Sequence, residues 1–123
     1  EELSDIRFAA NACNSCGAEL MIAIIPKTPV DTLEHYREIT NAFQILAVSP
    51  GESGQSFQEE VIHKIEILRK KIPGATIEVD GGITPDTAKR CKDVGADTFV
   101  SASFIIKHND PRVAYETLVA SLT

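Results

Sequence analysis

The sequence predicts an α/β fold: one helix, then four strand–helix pairs around a parallel sheet. Three observations carry this. Short apolar runs alternate with longer mixed stretches along the chain, the pattern of βαβ units rather than of hairpins. Leu20 to Ile25 is apolar without interruption, as in a strand buried on both faces. Three helix starts share one grammar, a capping side chain followed by proline: Thr28-Pro29, Thr84-Pro85 and Asp110-Pro111. The cap accepts a free backbone N–H, and proline suits the first helical position, where no N–H is needed.

Each element can be justified in order. Residues 3–16 read as a helix, with Leu3, Ile6, Ala10 and Cys13 on one side and Gly17 as the stop. Leu20 to Ile25 is the first strand. Thr28, Pro29 and Asp31 open a helix whose stripe runs Val30, Leu33, Tyr36 or Arg37, and Phe43. Ile45 to Val48 is the second strand, and "SPGESGQ" is a turn-rich loop. Ser56 with Glu59 forms a capping-box pattern ahead of a helix that places Val61, Ile65 and Leu68 on one face. Lys70, Lys71, Pro73 and Gly74 end it. Thr76 to Val79 is the third strand. Thr84-Pro85-Asp86 begins a helix with Ala88, Cys91 and Val94 inward and Gly95 as its stop. Thr98 to Val100 is the fourth strand, "SASF" a loop, and "NDPRVAYETLVASL" the last helix.

Composition narrows the partners. A chain of 123 residues is one domain or a piece of one. A net charge of -6 argues against nucleic acid or an anionic membrane as a general partner, but leaves room for a local anion site. No apolar run is long enough to span a bilayer, and no signal peptide is visible. The sequence opens on Glu1-Glu2 rather than Met, as in a processed chain or part of a longer product. Three cysteines cannot all pair, so no closed disulfide framework is expected, and a reducing cytoplasm fits. Cys13 and Cys16 make one C-x-x-C without a second pair or a nearby His, and are read as packing or unreactive thiols. His35 and His63 fall within helices and His108 beyond the last strand. All three are read as surface residues.

The stretch "EVDGGITPDT" holds the candidate chemistry. Asp80 falls at the carboxyl end of a strand, where parallel sheets place their ligands. Gly81 and Gly82 permit a tight turn and close approach of a ligand to backbone N–H groups. The following helix adds partial positive charge, so an anion such as phosphate could bind there. "PGESG" after the second strand and "SASF" after the fourth share that rim. Gly51 and Gly54 offer backbone donors, and Ser103 a hydroxyl and an N–H.

"VSPGESGQSF", then "IEVDGGITPDTAKRCKDVGADTFVSASFI", then "DPRVAYETL" resemble the ribulose-phosphate 3-epimerase family in order and spacing. The likeness runs from about Cys16 to Leu118. It implies the C-terminal half of a (β/α)8 TIM barrel, residues 1–123 forming a single partial ribulose-phosphate-binding domain from about the fourth helix through the eighth, with the N-terminal half absent. The implied activity interconverts D-ribulose 5-phosphate and D-xylulose 5-phosphate. Inverting C3 needs a carboxylate on each face of the carbon, one removing a proton and the other supplying it. The resemblance also implies a divalent metal (Zn, Fe, Mn or Co) that stabilises the enediolate. On this resemblance Asp80 is both a catalytic carboxylate and a metal ligand. Gly51, Glu52, Ser53, Gly54, Gly81, Gly82, Ala102 and Ser103 fall at the phosphate-side positions.

Departures from the family pattern set the alternatives. Glu52 stands for Phe, Ser53 for Gly, Ala102 for Gly and Phe104 for Ala. A carboxylate repels phosphate, and an alanine resists a positive φ. The family's second Asp and its two metal-binding His belong to earlier strands, so this chain is expected to be inactive alone. The expected partners are a phosphorylated ketose, plus either the missing half or a second copy to close the barrel. The competing readings are a degenerate half-barrel that dimerises and at most binds an anion, and an epimerase for another ketose phosphate such as allulose 6-phosphate.

Overall fold

A computed structural model of the chain describes residues 5–51 and 55–123. The elements are α1 (Ile6–Ser15), β1 (Met21–Ile24), a 3-10 helix (Val30–Tyr36), β2 (Ala42–Leu46), α2 (Glu60–Lys71), β3 (Thr76–Asp80), α3 (Pro85–Asp93), β4 (Thr98–Val100), α4 (Ser103–Ile106) and α5 (Pro111–Ser121). The strands form one sheet in the order β1-β2-β3-β4, with every neighbouring pair parallel.

Strand register sorts the side chains into two faces. On one, Ile22, Phe43 and Ile77 lie side by side, and Ile24, Ile45, Val79 and Phe99 form the next row. This face meets Leu33, Val61, Ile65, Leu68, Ala88 and Cys91 in a single core. Burial of each large aliphatic side chain there contributes about 1.5–3 kcal/mol. The other face is polar and more open. Ala23, Gln44, Glu78 and Thr98 share one row, and Leu46, Asp80 and Val100 the row at the carboxyl rim. Gln44 Nε2 donates to Glu78 Oε1 at 2.6 Å, while Ala23 and Thr98 are exposed.

Several boundaries differ from the sequence expectation, each for a non-local reason. The second strand begins at Ala42, and Phe43 is a fully buried strand residue rather than part of a helical stripe. Asn41 fixes that start: its carbonyl accepts from Thr76 N–H at 2.8 Å and its Nδ2 donates to the Gly74 carbonyl at 2.5 Å. The helix before it is a 3-10 helix, with extended Pro29 at the cap position instead of Thr28. The expected box of Ser56 and Glu59 does not form, because α2 starts at Glu60 without a side-chain cap. The N–H of Gln58 instead donates to the Ala47 carbonyl at 2.9 Å, which holds this stretch against the end of β2. "SASF" reads as loop in the sequence, yet Ser103 and Phe104 open the one-turn helix α4.

The remaining caps form as the sequence suggests. Thr84 accepts from Thr87 N–H while Thr87 Oγ1 accepts from Thr84 N–H, a reciprocal box with Pro85 following. Asp110 accepts from the N–H groups of Arg112 and Val113 ahead of α5.

Candidate functional site

All four strands point their carboxyl ends at one rim, and an open cavity of about 750 Å³ lies over the ends of β2, β3 and β4. Asp80 is the last residue of β3 and lines it. So do Gly51, Gly81, Gly82, Ala102 and Ser103. Glu52, Ser53 and Gly54 lie outside the described residues.

The Asp80 carboxyl is half-buried. Burial first, and the nearby Glu78 charge second, push its pKa above the usual aspartate value, opposed by a hydrogen bond from the Gly81 N–H. The group is thereby moved toward the range in which a carboxylate works as a base at neutral pH.

The glycines next to it serve two purposes. Gly81 and Gly82 hold φ of 110° and 63°, a region that side chains disfavour. They also receive the neighbouring loop. A Cβ on Gly81 would stand 2.6 Å from Val48 Cγ2, and one on Gly82 would stand 2.7 Å from the Phe57 nitrogen. The pair therefore lets the loop after β2 seat directly on the loop after β3. Gly51 has a φ of 131° with open space around it. Ala102 brings no strain, since its φ is -102°. The expected conflict between Ala102 and a positive φ does not arise.

Two hydroxyls tie the rim together. Thr87 Oγ1 donates to the Gly82 carbonyl at 3.1 Å, fixing the glycine turn to the start of α3. Ser101 Oγ donates to the Ile83 carbonyl at 2.9 Å, joining the ends of β3 and β4. Phe104 is half-buried, packs on the core and also lines the cavity. Sequence reasoning missed Thr87, Ser101 and Lys107, the last of which lines the cavity from just beyond α4. Thr87 was visible as a threonine three residues after the cap Thr84. Lys107 had no signal, because α4 was not foreseen.

The histidines stay away from the strand ends. His35 belongs to the 3-10 helix, His63 pairs with Glu66 on α2, and His108 Nδ1 meets the Asp110 backbone in the α4–α5 turn. Cys16 Sγ donates to the Cys13 carbonyl at the end of α1. Cys91 is buried with its thiol pushed up to about 11, so it is an unreactive core residue. Among the described residues no three His, Cys, Asp or Glu side chains converge to hold a metal ion. Asp80 by itself does not fit a divalent ion.

Sequence comparison decides the kinship. The model of the ribulose-phosphate 3-epimerase family matches residues 1–106. The chain belongs to that family. It is 37% identical to the ribulose-phosphate 3-epimerase of Schizosaccharomyces pombe over 72% of this chain and 39% of that one. It is 35% identical to the chloroplastic ribulose-5-phosphate-3-epimerase of Arabidopsis thaliana over 90% and 41% respectively. The chain thus spans about half the length of the curated relatives it matches. Among solved structures it resembles a 3-hexulose-6-phosphate synthase, with a TM-score of 0.72 and 18% identity over 94% of this chain and 55% of that one. That likeness concerns the fold: the α/β sheet corresponds to about half of a TIM barrel. No helix among the described residues is long and apolar enough to cross a membrane.

Proposed function

We propose that this chain supplies the phosphate-binding half of a cytoplasmic ribulose-phosphate 3-epimerase, with Asp80 as one of its two proton-transfer groups. The observation that carries this is the half-buried Asp80 carboxyl, with its raised pKa, at the edge of a cavity whose rim is built by glycine loops. In this reading a phosphorylated ketose enters with its phosphate toward Gly51, Gly81, Gly82 and Ser103. The loop residues Glu52, Ser53 and Gly54, together with Ala102, complete that side. Asp80 faces the carbon beside the carbonyl and takes or returns its proton on one face.

The second acid/base group must come from outside the described residues. So must most ligands of the divalent metal that the family resemblance implies, because Asp80 is a single donor. The same limit explains why activity is expected only when the barrel is closed, by the remaining strands or by a second copy. The choice between ribulose 5-phosphate and another ketose phosphate, such as allulose 6-phosphate, rests on that other half.

The test is Asp80→Asn in a polypeptide that completes the barrel, assayed for epimerisation and for ketose-phosphate affinity. General acid–base groups contribute about 10²–10⁴ in rate, so turnover should fall by that order while affinity persists. Undiminished turnover would remove Asp80 from the chemistry. A second reading, a degenerate half-barrel that binds an anion, is favoured because Asp80 is the single acid among the described residues lining the cavity. It predicts anion binding without turnover even in the closed barrel.

A further inference from the structure

Among the described residues lining the cavity, two carry charge, Asp80 and Lys107. Lys107 follows α4 directly. Its N–H donates to the Ser103 carbonyl at 3.1 Å, closing the turn, and the Phe104 side chain anchors that turn on the core. The position of Lys107 is therefore fixed to the same turn that carries Ser103. Its ammonium joins no ion pair among the described residues. Other cations are already engaged: Arg69 with Asp97, Lys71 with Asp31 and Glu34, Arg90 with Glu59.

The electrostatic setting makes this cation matter. A phosphate monoester is mostly a dianion at neutral pH. The chain carries a net charge of -6, and its sequence adds a further acid, Glu52, to the loop after β2. Backbone N–H groups supply partial charges only. A lysine supplies a full point charge on a stem long enough to reach a bound anion from an exposed rim.

Resting on the reading of this cavity as a ketose-phosphate site, we propose that Lys107 is the counter-cation of the substrate phosphate. With Asp80 as the other charged group among the described lining residues, it also sets which way round the substrate lies. The phosphate sits at the α4 end, where Lys107 attracts it. The reacting carbon sits over β3, where the Asp80 carboxylate repels the phosphate.

Inorganic phosphate is the probe, titrated into this chain and into Lys107→Met and Lys107→Arg. Binding is followed through the amide resonances of Gly81, Gly82 and Ser103. The exposed position of Lys107 predicts that both variants fold as the parent does. The Met variant should bind about tenfold more weakly and with a shallower salt dependence, whereas Arg should keep affinity within a few-fold. Equal affinity in parent and Met variant would overturn the role of Lys107 and leave the phosphate site standing. A parent that shifts none of these amides would sink the phosphate reading, and Lys107 with it. Loss in both folded variants would also overturn the proposal, since charge would not be what matters.

Discussion

Asp80 meets two opposed demands. Chemistry favours a carboxylate with a raised pKa, whereas folding favours one with an ordinary pKa. Below its ordinary value of 3.8 the group is neutral in both folded and unfolded chains, and burying it costs little. As pH rises, the unfolded chain ionises first, so that stability is lost through the raised folded value. Asp80→Asn escapes this loss and can still accept the Gly81 N–H. Its stability relative to the parent should therefore grow as pH climbs from about 3.8, measured by urea unfolding at a series of pH values. A difference that stays flat with pH would show that the carboxyl is not destabilised by its surroundings. At this scale the sequence was readable: an acid and two glycines after an apolar run marked a strand end that borders the cavity. It did not show that Val48 and Phe57 press on those glycines, because that contact joins loops from different strands.

Local signals decided the helices unless a neighbouring element claimed the same atoms. Thr84 and Asp110 cap α3 and α5 as read, since each cap uses N–H groups two or three residues away. Ser56 had the same credentials and failed, because Ala47 takes the Gln58 N–H and delays the start of α2. A paired substitution separates the cases. Thr84→Ala should destabilise by about 1 kcal/mol, and Ser56→Ala, at an exposed position, should stay within about 0.5 kcal/mol. Denaturant midpoints measure both, and an equal cost would mean that Ser56 has a structural role after all. Phe43 illustrates the same rule in a strand. It fits a helical stripe by spacing, but parallel pairing with Ile22 and Ile77 places it in the core.

The whole molecule separates stability from the site. At the end of the sheet opposite the cavity, Arg69 donates to the carbonyls of Pro73, Ala75 and Gly95 and pairs with Asp97 at 2.6 Å. Asp97 in turn accepts the Ile77 N–H at 2.8 Å, so one guanidinium joins α2, β3 and the α3–β4 turn. Arg69→Met should lower unfolding free energy by about 2–3 kcal/mol while leaving phosphate affinity unchanged. A lost affinity in the folded variant would show that the two ends are coupled. The polar face of the sheet has a different need. It carries Gln44, Glu78 and Val100, with Val100 37% exposed. Among the described residues, β1 and β4 each pair on one side only. Open edges and an uncovered face are what further strands or a second copy would cover, and the chain matches 39% and 41% of the length of two of its relatives.

The sequence by itself determined the alternation of strands and helices, two proline-bearing caps, the family, and the place of Asp80 at a strand end. These are carried by periodicity and by contacts among residues close in the chain. Tertiary structure decided where β2 begins, that α2 starts late, that the glycines receive a neighbouring loop, and that Lys107 reaches the cavity beside Ser103. Each of those depends on atoms from distant segments competing for one hydrogen bond or one volume, and that competition exists only once the strands have paired.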